Sequence, residues 1–316
     1  MKGAERSSRL ATPGPDLFSA CQRWSQRRTS YRPAGEPFDP SRYSVEIIEY
    51  MDGKRFIERN HYAASYVASR LQIGMWHKPS PFEAAQLAGV IAFSVPIQNM
   101  VIPSWFAGVP ARHGVEIGRL ALLDHVPGNG ETFMLGRAFR LLRRTLPEVR
   151  AVLSYADPME RHDADGRLFK LGHRGTIYAA FSGTFLGRST ARRLILARDG
   201  RCLNERTLCK VRHGEQGAGY AERMMVAMGA PPRRLHEDGA LYVKRALCSG
   251  AFRSVLHPGN YAFGWWIGHS ADNPLPARET RRYPREVCSD LPSPGKRLDG
   301  CESGHTLIRN ASEDQP

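Results

Sequence analysis

The feature that most constrains the fold is a short apolar run that ends abruptly in polar residues. Residues 151–153 are apolar, whereas Ser154 and Asp157 are polar and Pro158 follows them. This pattern predicts a buried strand over 149–155 that proline brings to an end. Ligands of open α/β sheets collect at the carboxyl ends of strands. Asp157 therefore occupies the position of a catalytic carboxylate, although an aspartate at this point can equally cap the next turn.

The clearest helix is predicted over 132–146. Leucine, alanine and phenylalanine recur there at helical spacing, and Pro147 ends the pattern. The opposite face is predicted to bind nucleic-acid phosphates. That face carries Arg137, Arg140, Arg143 and Arg144.

The remaining elements predict an α/β fold with a sheet of mixed direction, because several strands in sequence precede a strand–helix–strand unit. A flexible basic arm is expected over 1–40, a catalytic domain over 41–249, and an aromatic segment with a mostly disordered tail over 250–316. The predicted strands are 45–50, 72–76, 87–95, 115–123, 193–197 and 241–245, and the predicted helices are 62–71, 176–181 and 220–228.

The charge distribution favours a polyanionic partner. Of the net charge of +14, most falls within 41–249, which carries 30 basic and 19 acidic residues. Nucleic acid is the simplest such partner, and a surface charged only for solubility is the alternative. The six cysteines include no C-x-x-C pair, which indicates free thiols and no zinc site. With no signal peptide or membrane-length apolar run, we expect a soluble cytoplasmic protein.

The turn before the helix over 132–146 is a candidate anion site. Gly128, Asn129 and Gly130 permit tight backbone geometry, and Thr132 stands in the first helical turn. Free amides at a helix start attract anions, so a pyrophosphate or a DNA phosphate would fit there. A plain turn and cap would have the same sequence.

Four further residues are candidates for chemistry. Adjacent His61 and Tyr62 can ligate a metal, stack on a base or transfer protons, although such pairs are often structural. Arg119 interrupts a predicted core strand, which is costly unless the charge is paired or belongs to a site. Tyr178 follows a glycine-rich turn and points back toward Asp157 if that turn folds over the strand end. A buried tyrosine in a short amphipathic helix is the alternative.

Five segments, in this order, resemble the Mom DNA-modification family of Mu-like phages over about 60–245. They are N-H-Y-A-A-S, E-I-G-R-L-A-L-L-D, P-G-N-G-E-T-F-M-L, L-S-Y-A-D-P and G-H-R-G-T-I-Y-A-A-F. The resemblance implies a GNAT-like fold, with a mixed, mostly antiparallel sheet flanked by helices. It also implies an enzyme that places a carbamoylmethyl group on the exocyclic amine of adenine in DNA and so protects phage DNA from restriction.

The same resemblance implies roles for individual residues. Arg119, Thr132, Asp157 and Tyr178 correspond to the active-site set, and His61 and Tyr62 correspond to residues near an iron ion. Asp157 would complete an iron site with these two, an assignment that competes with its role as a general base and is left open. Asp157 would accept a proton from the amine, Tyr178 would give one to the leaving group, and Arg119 with the amides near Thr132 would hold an anionic donor such as acetyl-CoA or a related compound. The stretch after Asp157, up to His173, looks longer than the family's linker.

A paired adenine has to leave the duplex to react, so we expect double-stranded DNA with a flipped adenine as the partner. Tyr62, Trp76, Trp105 and Phe106 are candidate stacking residues, with core packing as the alternative. Two other functions remain open: an ordinary GNAT N-acetyltransferase acting on a small amine or protein, and a non-enzymatic DNA-binding protein.

Overall fold

The computed structural model describes residues 20–25, 28–33, 36–268 and 283. Within these, the chain divides into two compact units. The larger unit runs to residue 161 and also contains 170–190 and the described residues from 258 onward, and the smaller contains 162–169 and 191–257. The rest of the two arms expected to be disordered lies outside the described residues.

The strands, in chain order, include two short hairpins and two larger sheets. They are β1 (Ala20–Ser25), β2 (Arg28–Pro33), β3 (Tyr43–Ile47), β4 (Ser69–His77), β5 (Gln86–Ser94), β6 (Gly114–Leu122), β7 (Ala151–Ala156), β8 (Arg161–His162), β9 (Leu168–Lys170), β10 (Thr184–Arg188), β11 (Arg192–Ala197), β12 (Cys202–Leu203), β13 (Phe252–His257) and β14 (Tyr261–Trp266).

The helices flank the two larger sheets. They are α1 (Tyr50–Asn60), α2 (Val101–Trp105), α3 (Gly130–Thr145), α4 (Thr176–Ala180), α5 (Glu205–Arg212), α6 (Ala218–Ala227) and α7 (Gly239–Leu247). Within the ranges that the structure describes, no helix has the length and apolar character to cross a membrane.

The larger unit is built on a seven-stranded sheet in the order β10-β14-β7-β6-β5-β4-β3. Every neighbouring pair is antiparallel except β6 and β7, which run parallel with α3 connecting them. The predicted mixed, mostly antiparallel sheet flanked by helices is therefore confirmed. The aromatic segment after residue 250 supplies β13 and β14, and β14 lies between β10 and β7.

The main core of this unit forms under α3, whose apolar stripe was predicted from the sequence. Leu135, Leu142 and Phe139 of α3 pack against the sheet residues Phe93 and Phe263. Burying five side chains of this size contributes roughly 10 kcal/mol before the entropic cost of ordering them. The arginine-bearing face of α3 is left toward solvent.

The helix predicted over 62–71 is wrong, and the helix of this region is α1. The chain leaves α1 through a turn in which the His61 Nδ1 accepts a hydrogen bond from the Ala63 amide at 3.1 Å, and Ala64 adopts a positive φ of 44°. The Tyr66 hydroxyl packs against Gly53 of α1, where a Cβ would lie 2.9 Å from it.

The smaller unit holds a three-stranded sheet, β12-β11-β13, with α5, α6 and α7. The strand predicted over 241–245 is wrong, because these residues lie in α7. Asp238 caps that helix by accepting from the amides of Ala240 and Leu241, and Tyr242 is fully buried. Cys209 carries a free thiol, but Cys248 is disulfide-bonded, contrary to the expectation of free thiols.

Candidate active site

A β-bulge in β6 places two charged residues on the same face of the sheet. Ile117 stands opposite Phe93 and Arg119 stands opposite Ala92, so Gly118 is the extra residue. A bulge shifts the in–out alternation by one position, which brings Glu116 and Arg119 onto one side. Gly118 is required there, because a Cβ would lie 2.3 Å from the Ser94 hydroxyl oxygen.

The sheet opens directly beyond this bulge. The parallel pairing of β6 with β7 runs from Gly114 opposite Ala151 to Ile117 opposite Ser154, and stops there. From that point β6 follows β5 and β7 follows β14, so the two strands separate. Polar side chains gather at the separation, and we call them the polar cluster: His61, Tyr62, Glu116, Arg119, Ser154, Asp157, Arg161, Lys170, His173 and Tyr178.

Asp157 is the anionic centre of the polar cluster. It is buried, with 8% of its surface exposed, and its Oδ1 accepts from the Met159 amide at 3.1 Å. The other carboxylate oxygen forms an ion pair with Arg161 and lies 3.4 Å from the Lys170 Nζ. Two cations and one amide therefore hold the carboxylate in a fixed orientation.

Lys170 is the most deeply buried cation of the cluster. Its Nζ donates to the carbonyl oxygens of Asp157, at 3.1 Å, and Met159, at 3.3 Å, and lies 5.4 Å from the centre of the Tyr62 ring. Burial lowers the pKa of Lys170 to about 8, although Asp157 favours the charged form. This ammonium therefore loses its proton far more readily than an exposed lysine does.

The long stretch after Asp157 does not displace the residues that follow it. It folds back through the two-stranded β8–β9 sheet, and Gly172 packs so closely on Pro158 that a Cβ would lie 2.1 Å from the proline carbonyl oxygen. The His173 amide then donates to the Asp157 carbonyl at 2.7 Å. His173 thus lies beside Asp157 despite the sixteen-residue separation along the chain.

Tyr178 enters the cluster from α4. Gly175 begins that helix with a φ of 82° and lies against Phe263, where a Cβ would be only 2.4 Å from the ring. The His173 Nδ1 accepts from the Gly175 amide at 2.9 Å, and the His173 ring stacks on Tyr178 with centroids 5.7 Å apart. Burial raises the pKa of Tyr178 to about 12, while the nearby Ser154 hydroxyl acts in the opposite direction. The phenol is therefore protonated throughout the neutral range.

His61 and Tyr62 follow the end of α1 and lie beside the same opening. Their ring centroids are 4.3 Å apart. Burial, with Arg119 and other nearby cationic groups, lowers the pKa of His61 to about 3. Burial and the Asp157 carboxylate raise the pKa of Tyr62. Both side chains are therefore neutral. Because the His61 Nδ1 accepts from the Ala63 amide, the imidazole proton is on Nε2, which is a hydrogen-bond donor.

Arg119 is fixed by the turn that follows α1. Its Nε donates to the Ser65 carbonyl at 2.9 Å and one terminal nitrogen donates to the Ser65 hydroxyl at 3.0 Å, while the other donates to the Gly118 carbonyl at 2.6 Å. Burial lowers the pKa of Arg119, yet a guanidinium keeps its charge at any working pH. The structure therefore brings together His61, Tyr62, Arg119, Asp157 and Tyr178, which the sequence had placed in two separate sets.

Glu116 gives the cluster a pH-sensitive carboxyl. Burial raises the pKa of Glu116 to about 7, with Arg119 acting weakly against the shift. The folded state then keeps this proton up to about pH 7, whereas the unfolded chain releases it near the ordinary glutamate value. The raised pKa therefore stabilises the folded state at low pH, and this contribution is lost as pH rises through the folded-state pKa.

We expect Glu116→Gln to remove this dependence. Between pH 5 and pH 8 the free energy of unfolding of the unmodified chain should fall by about 2 kcal/mol relative to the variant. Urea denaturation across that pH range measures the difference. Glu46→Gln, at an exposed position of β3, serves as the control and should show no such divergence. Parallel pH profiles for the chain and Glu116→Gln would contradict the assignment.

The predicted anion site lies at the start of α3 and has a different environment. Thr132 donates its hydroxyl hydrogen to the Asn129 carbonyl at 3.1 Å. The Glu131 carboxylate already lies in the first turn, where it forms a buried ion pair with Arg23, and Arg23 also donates to the Val126 carbonyl at 3.1 Å. Among the described residues, no hydrogen bond or ion pair joins Thr132 to the polar cluster.

The arginines predicted to bind phosphates are all exposed on α3. Arg137 lies over the Phe133 ring at 5.1 Å, and the Nε of Arg140 donates to the Gly136 carbonyl at 3.3 Å. Within the described part of the chain, none of the four forms an ion pair with a carboxylate. Their guanidinium groups are available to an external anion: Arg137, Arg140, Arg143 and Arg144.

The aromatic candidates divide between the site and the core. Trp105 and Phe106 are buried, with 4% and 5% exposure, and pack in a separate core against side chains of β7, β10 and β14. Neither can stack on a base, so for these two the core-packing alternative is the correct one. Trp76 packs at the edge of a small core beside α1. Tyr62 alone of these candidates belongs to the polar cluster.

The iron site implied by the resemblance can be tested against these donors. In the described residues, no group of three or more histidine, cysteine, aspartate or glutamate side chains has the arrangement of a metal site. His61, Tyr62 and Asp157 nevertheless provide a neutral imidazole, a phenol and a carboxylate, which are donor types that iron accepts. Lys170 lies at the position beside the Asp157 carboxylate where a cation binds. The donor types match iron, whereas the arrangement found here pairs Asp157 with Arg161 and Lys170.

A mixed α/β fold with a buried polar cluster at a gap between two parallel strands is typical of an enzyme. The comparisons with known proteins then identify the family. The Mom protein family model matches residues 42–237, and the chain belongs to that family. The matched range therefore contains every residue of the polar cluster.

Individual relatives are more distant. The methylcarbamoylase Mom of Escherichia phage Mu is 25% identical over 177 residues, which cover 56% of this chain and 66% of that protein. A solved structure, a tandem GNAT protein from the clavulanic acid biosynthesis pathway without AcCoA, is 9% identical with a TM-score of 0.35. It covers 72% of this chain and 99% of that one. A TM-score of this size does not establish a shared fold.

Proposed function

We propose that this protein modifies DNA by placing a carbamoylmethyl group on the exocyclic amine of adenine, and so protects phage DNA from restriction inside the bacterial cytoplasm. Membership of the Mom family supports action on DNA. The observation that carries the proposal is the convergence of Arg119, Asp157 and Tyr178 with His61 and Tyr62 at the opening between β6 and β7. These groups arrive from four separate parts of the chain.

The proposed chemistry follows from the protonation states of these groups. The adenine amine is a poor nucleophile because its lone pair is delocalised into the ring. A new bond forms between the amine nitrogen and the methylene carbon of the carbamoylmethyl group. The amine proton passes to the Asp157 carboxylate, and the bond from that methylene carbon to the leaving group of the donor breaks. Tyr178, protonated because its pKa is about 12, gives a proton or a hydrogen bond to the departing group. Arg119 holds a negatively charged part of the donor.

The donor and the metal enter the proposal through residues already described. Phosphates of an acetyl-CoA-related donor would contact Asn129 and Thr132 at the start of α3. Gly128 and Gly130, which the sequence also placed in this site, are buried, and the Gly130 amide already donates to the Pro127 carbonyl at 2.9 Å. Iron held by His61, Tyr62 and Asp157 would supply Lewis-acid or one-electron chemistry. This role of Asp157 competes with its role as the proton acceptor, so Asp157 serves as one or the other.

The proposed substrate is double-stranded DNA with the target adenine flipped out of the helix. Extrusion costs a few kcal/mol, which phosphate contacts by the exposed arginines of α3 would offset. Because each such contact releases counterions, DNA binding should weaken steeply with salt. Tyr62, whose ring lies in the polar cluster, is placed to stack on the extruded base.

Nucleoside mass spectrometry tests the proposal directly. The protein is expressed in a bacterium that carries a plasmid, and the plasmid DNA is digested to nucleosides. We expect an adenosine derivative heavier by one carbamoylmethyl group, which is absent from cells expressing Asp157→Asn. An unchanged adenosine profile, together with tight acetyl-CoA binding and no DNA binding, would favour an ordinary acetyltransferase instead.

A further inference from the structure

A second recess lies on the α3 side of the sheet, apart from the polar cluster. It is a cleft of about 440 Å³, a size typical of small-ligand sites. α3, the end of α4 and the end of β14 form its walls. We call it the α3–α4 cleft, and its main lining residues are Phe139, Arg140, Arg143, Ala180, Phe181 and Trp266.

The chemistry of the cleft combines aromatic walls with cationic edges. Phe139 is buried at its base, whereas Phe181 and Trp266 are half-buried, so part of each of these two side chains is exposed. Arg140 and Arg143 are exposed on α3, and neither forms an ion pair within the described part of the chain. A third guanidinium, that of Arg150, lies 5.1 Å from the Trp266 ring centre. None of the described residues that line the cleft is acidic.

Backbone strain is concentrated at the same place. Ser182, which lines the cleft, has a φ of 54°, a conformation that costs a non-glycine residue free energy. The next residue, Gly183, permits close packing, because a Cβ would lie 2.7 Å from both the Trp265 ring and the Tyr178 carbonyl. The turn after α4 is thus held in an unfavourable shape that keeps this wall of the cleft in place.

One aromatic layer separates the cleft from the polar cluster. Trp265 lines the cleft, and its ring lies edge-on to Tyr178 with centroids 5.8 Å apart. The Trp265 Nε1 donates to the Phe181 carbonyl at 2.9 Å, which fixes the indole between the two sites. One indole ring therefore separates the cleft from Tyr178, so a strand whose target base reached Tyr178 would bring its neighbouring nucleotides toward the cleft.

We infer that the α3–α4 cleft binds a second, unstacked nucleotide of the DNA strand, with its base against the aromatic wall and its phosphate at Arg140 and Arg143. Stacking and charge together are the means by which proteins hold unpaired nucleotides. This inference rests on the proposed function, since it assigns the cleft to the same DNA substrate. A free nucleoside phosphate offers the same chemistry and is the competing source of the ligand.

Neighbouring arginines of α3 provide a matched test. Arg143 lines the cleft, whereas Arg144 is exposed on the same helix but does not line it. Fluorescence anisotropy would compare Arg143→Ala with Arg144→Ala on a fully paired duplex and on a duplex with an unpaired adenine and an unpaired neighbouring nucleotide. We expect Arg143→Ala to weaken binding of the second duplex about tenfold more than Arg144→Ala does, and the two to be equal on the paired duplex.

A second variant guards against a purely local effect of one arginine. Ala180 is exposed at the cleft edge, so Ala180→Glu should fold normally while placing a carboxylate beside the phosphate position. It should reproduce the selective loss of about tenfold. Circular dichroism confirms that each variant folds. Competition by adenosine 5′-monophosphate is the last measurement. If the cleft variants weakened binding of this free nucleotide but not of either duplex, the cleft would bind a free nucleotide and not DNA.

Equal losses of affinity for Arg143→Ala and Arg144→Ala on both duplexes would also overturn the inference, because the arginines would then only contact phosphates of the DNA backbone. Neither result depends on catalysis. If plasmid DNA proved unmodified while Arg143→Ala and Ala180→Glu still weakened binding of the duplex with unpaired nucleotides selectively, the proposed function would fail and the cleft assignment would stand.

Discussion

Asp157→Asn should reduce adenine modification by at least about 100-fold, because an amide cannot accept the proton that the amine must lose. The substitution keeps the size of the side chain, so the opening between β6 and β7 stays intact. Quantitative nucleoside mass spectrometry of plasmid DNA over a time course measures the rate. Glu148→Gln, which removes an exposed carboxylate paired with Arg70, should leave it unchanged.

The same substitution should also lower stability, by about 3 kcal/mol or more, since it leaves the buried Lys170 without its counter-ion. Combining Asp157→Asn with Lys170→Met removes the stranded charge and should recover much of that loss in urea denaturation, without restoring modification. The two readouts separate the chemical role of the carboxylate from its structural role. Wild-type modification by Asp157→Asn would rule out Asp157 as the proton acceptor.

The sequence predicted the fold best where burial follows a clear period. The stripe over 132–146 became α3 and the apolar runs at 87–95 and 115–123 became β5 and β6. It failed at 62–71 and 241–245, where local spacing was ambiguous. In the first segment, Tyr66 packs against Gly53 of α1. In the second, a window of five residues is too short to distinguish the period of a helix from that of a strand.

The site shows the same limits. Asp157 and Tyr178 stood out because each follows a recognisable break, a strand end before proline and a glycine turn. Lys170 and Arg161 gave no such signal, because their partnership with Asp157 arises only when the chain folds back through β8 and β9. Glu116 joins Arg119 only through the bulge at Gly118. A three-residue spacing in a regular strand would have placed them on opposite faces.

Tyr178→Phe should lower modification by about 100-fold while lowering the free energy of unfolding by only about 1 kcal/mol, the contribution of one hydrogen bond to Ser154. The phenylalanine ring keeps the packing of Tyr178 on Phe263 and Trp265, whose centroids lie 5.6 Å and 5.8 Å away, and loses only the hydroxyl that would serve the leaving group.

The pH profile distinguishes this role from a structural one. Since the pKa of Tyr178 is about 12, the phenol stays protonated up to about pH 10, and activity in the unmodified protein should show no loss from its ionisation in that range. Tyr242→Phe, which removes another buried hydroxyl, is the matched control and should keep full activity, because that oxygen has no hydrogen-bond partner among the described residues. Full activity in Tyr178→Phe as well would mean that the ring, and not its hydroxyl, is what the site requires, and the leaving group would then need its proton from another donor.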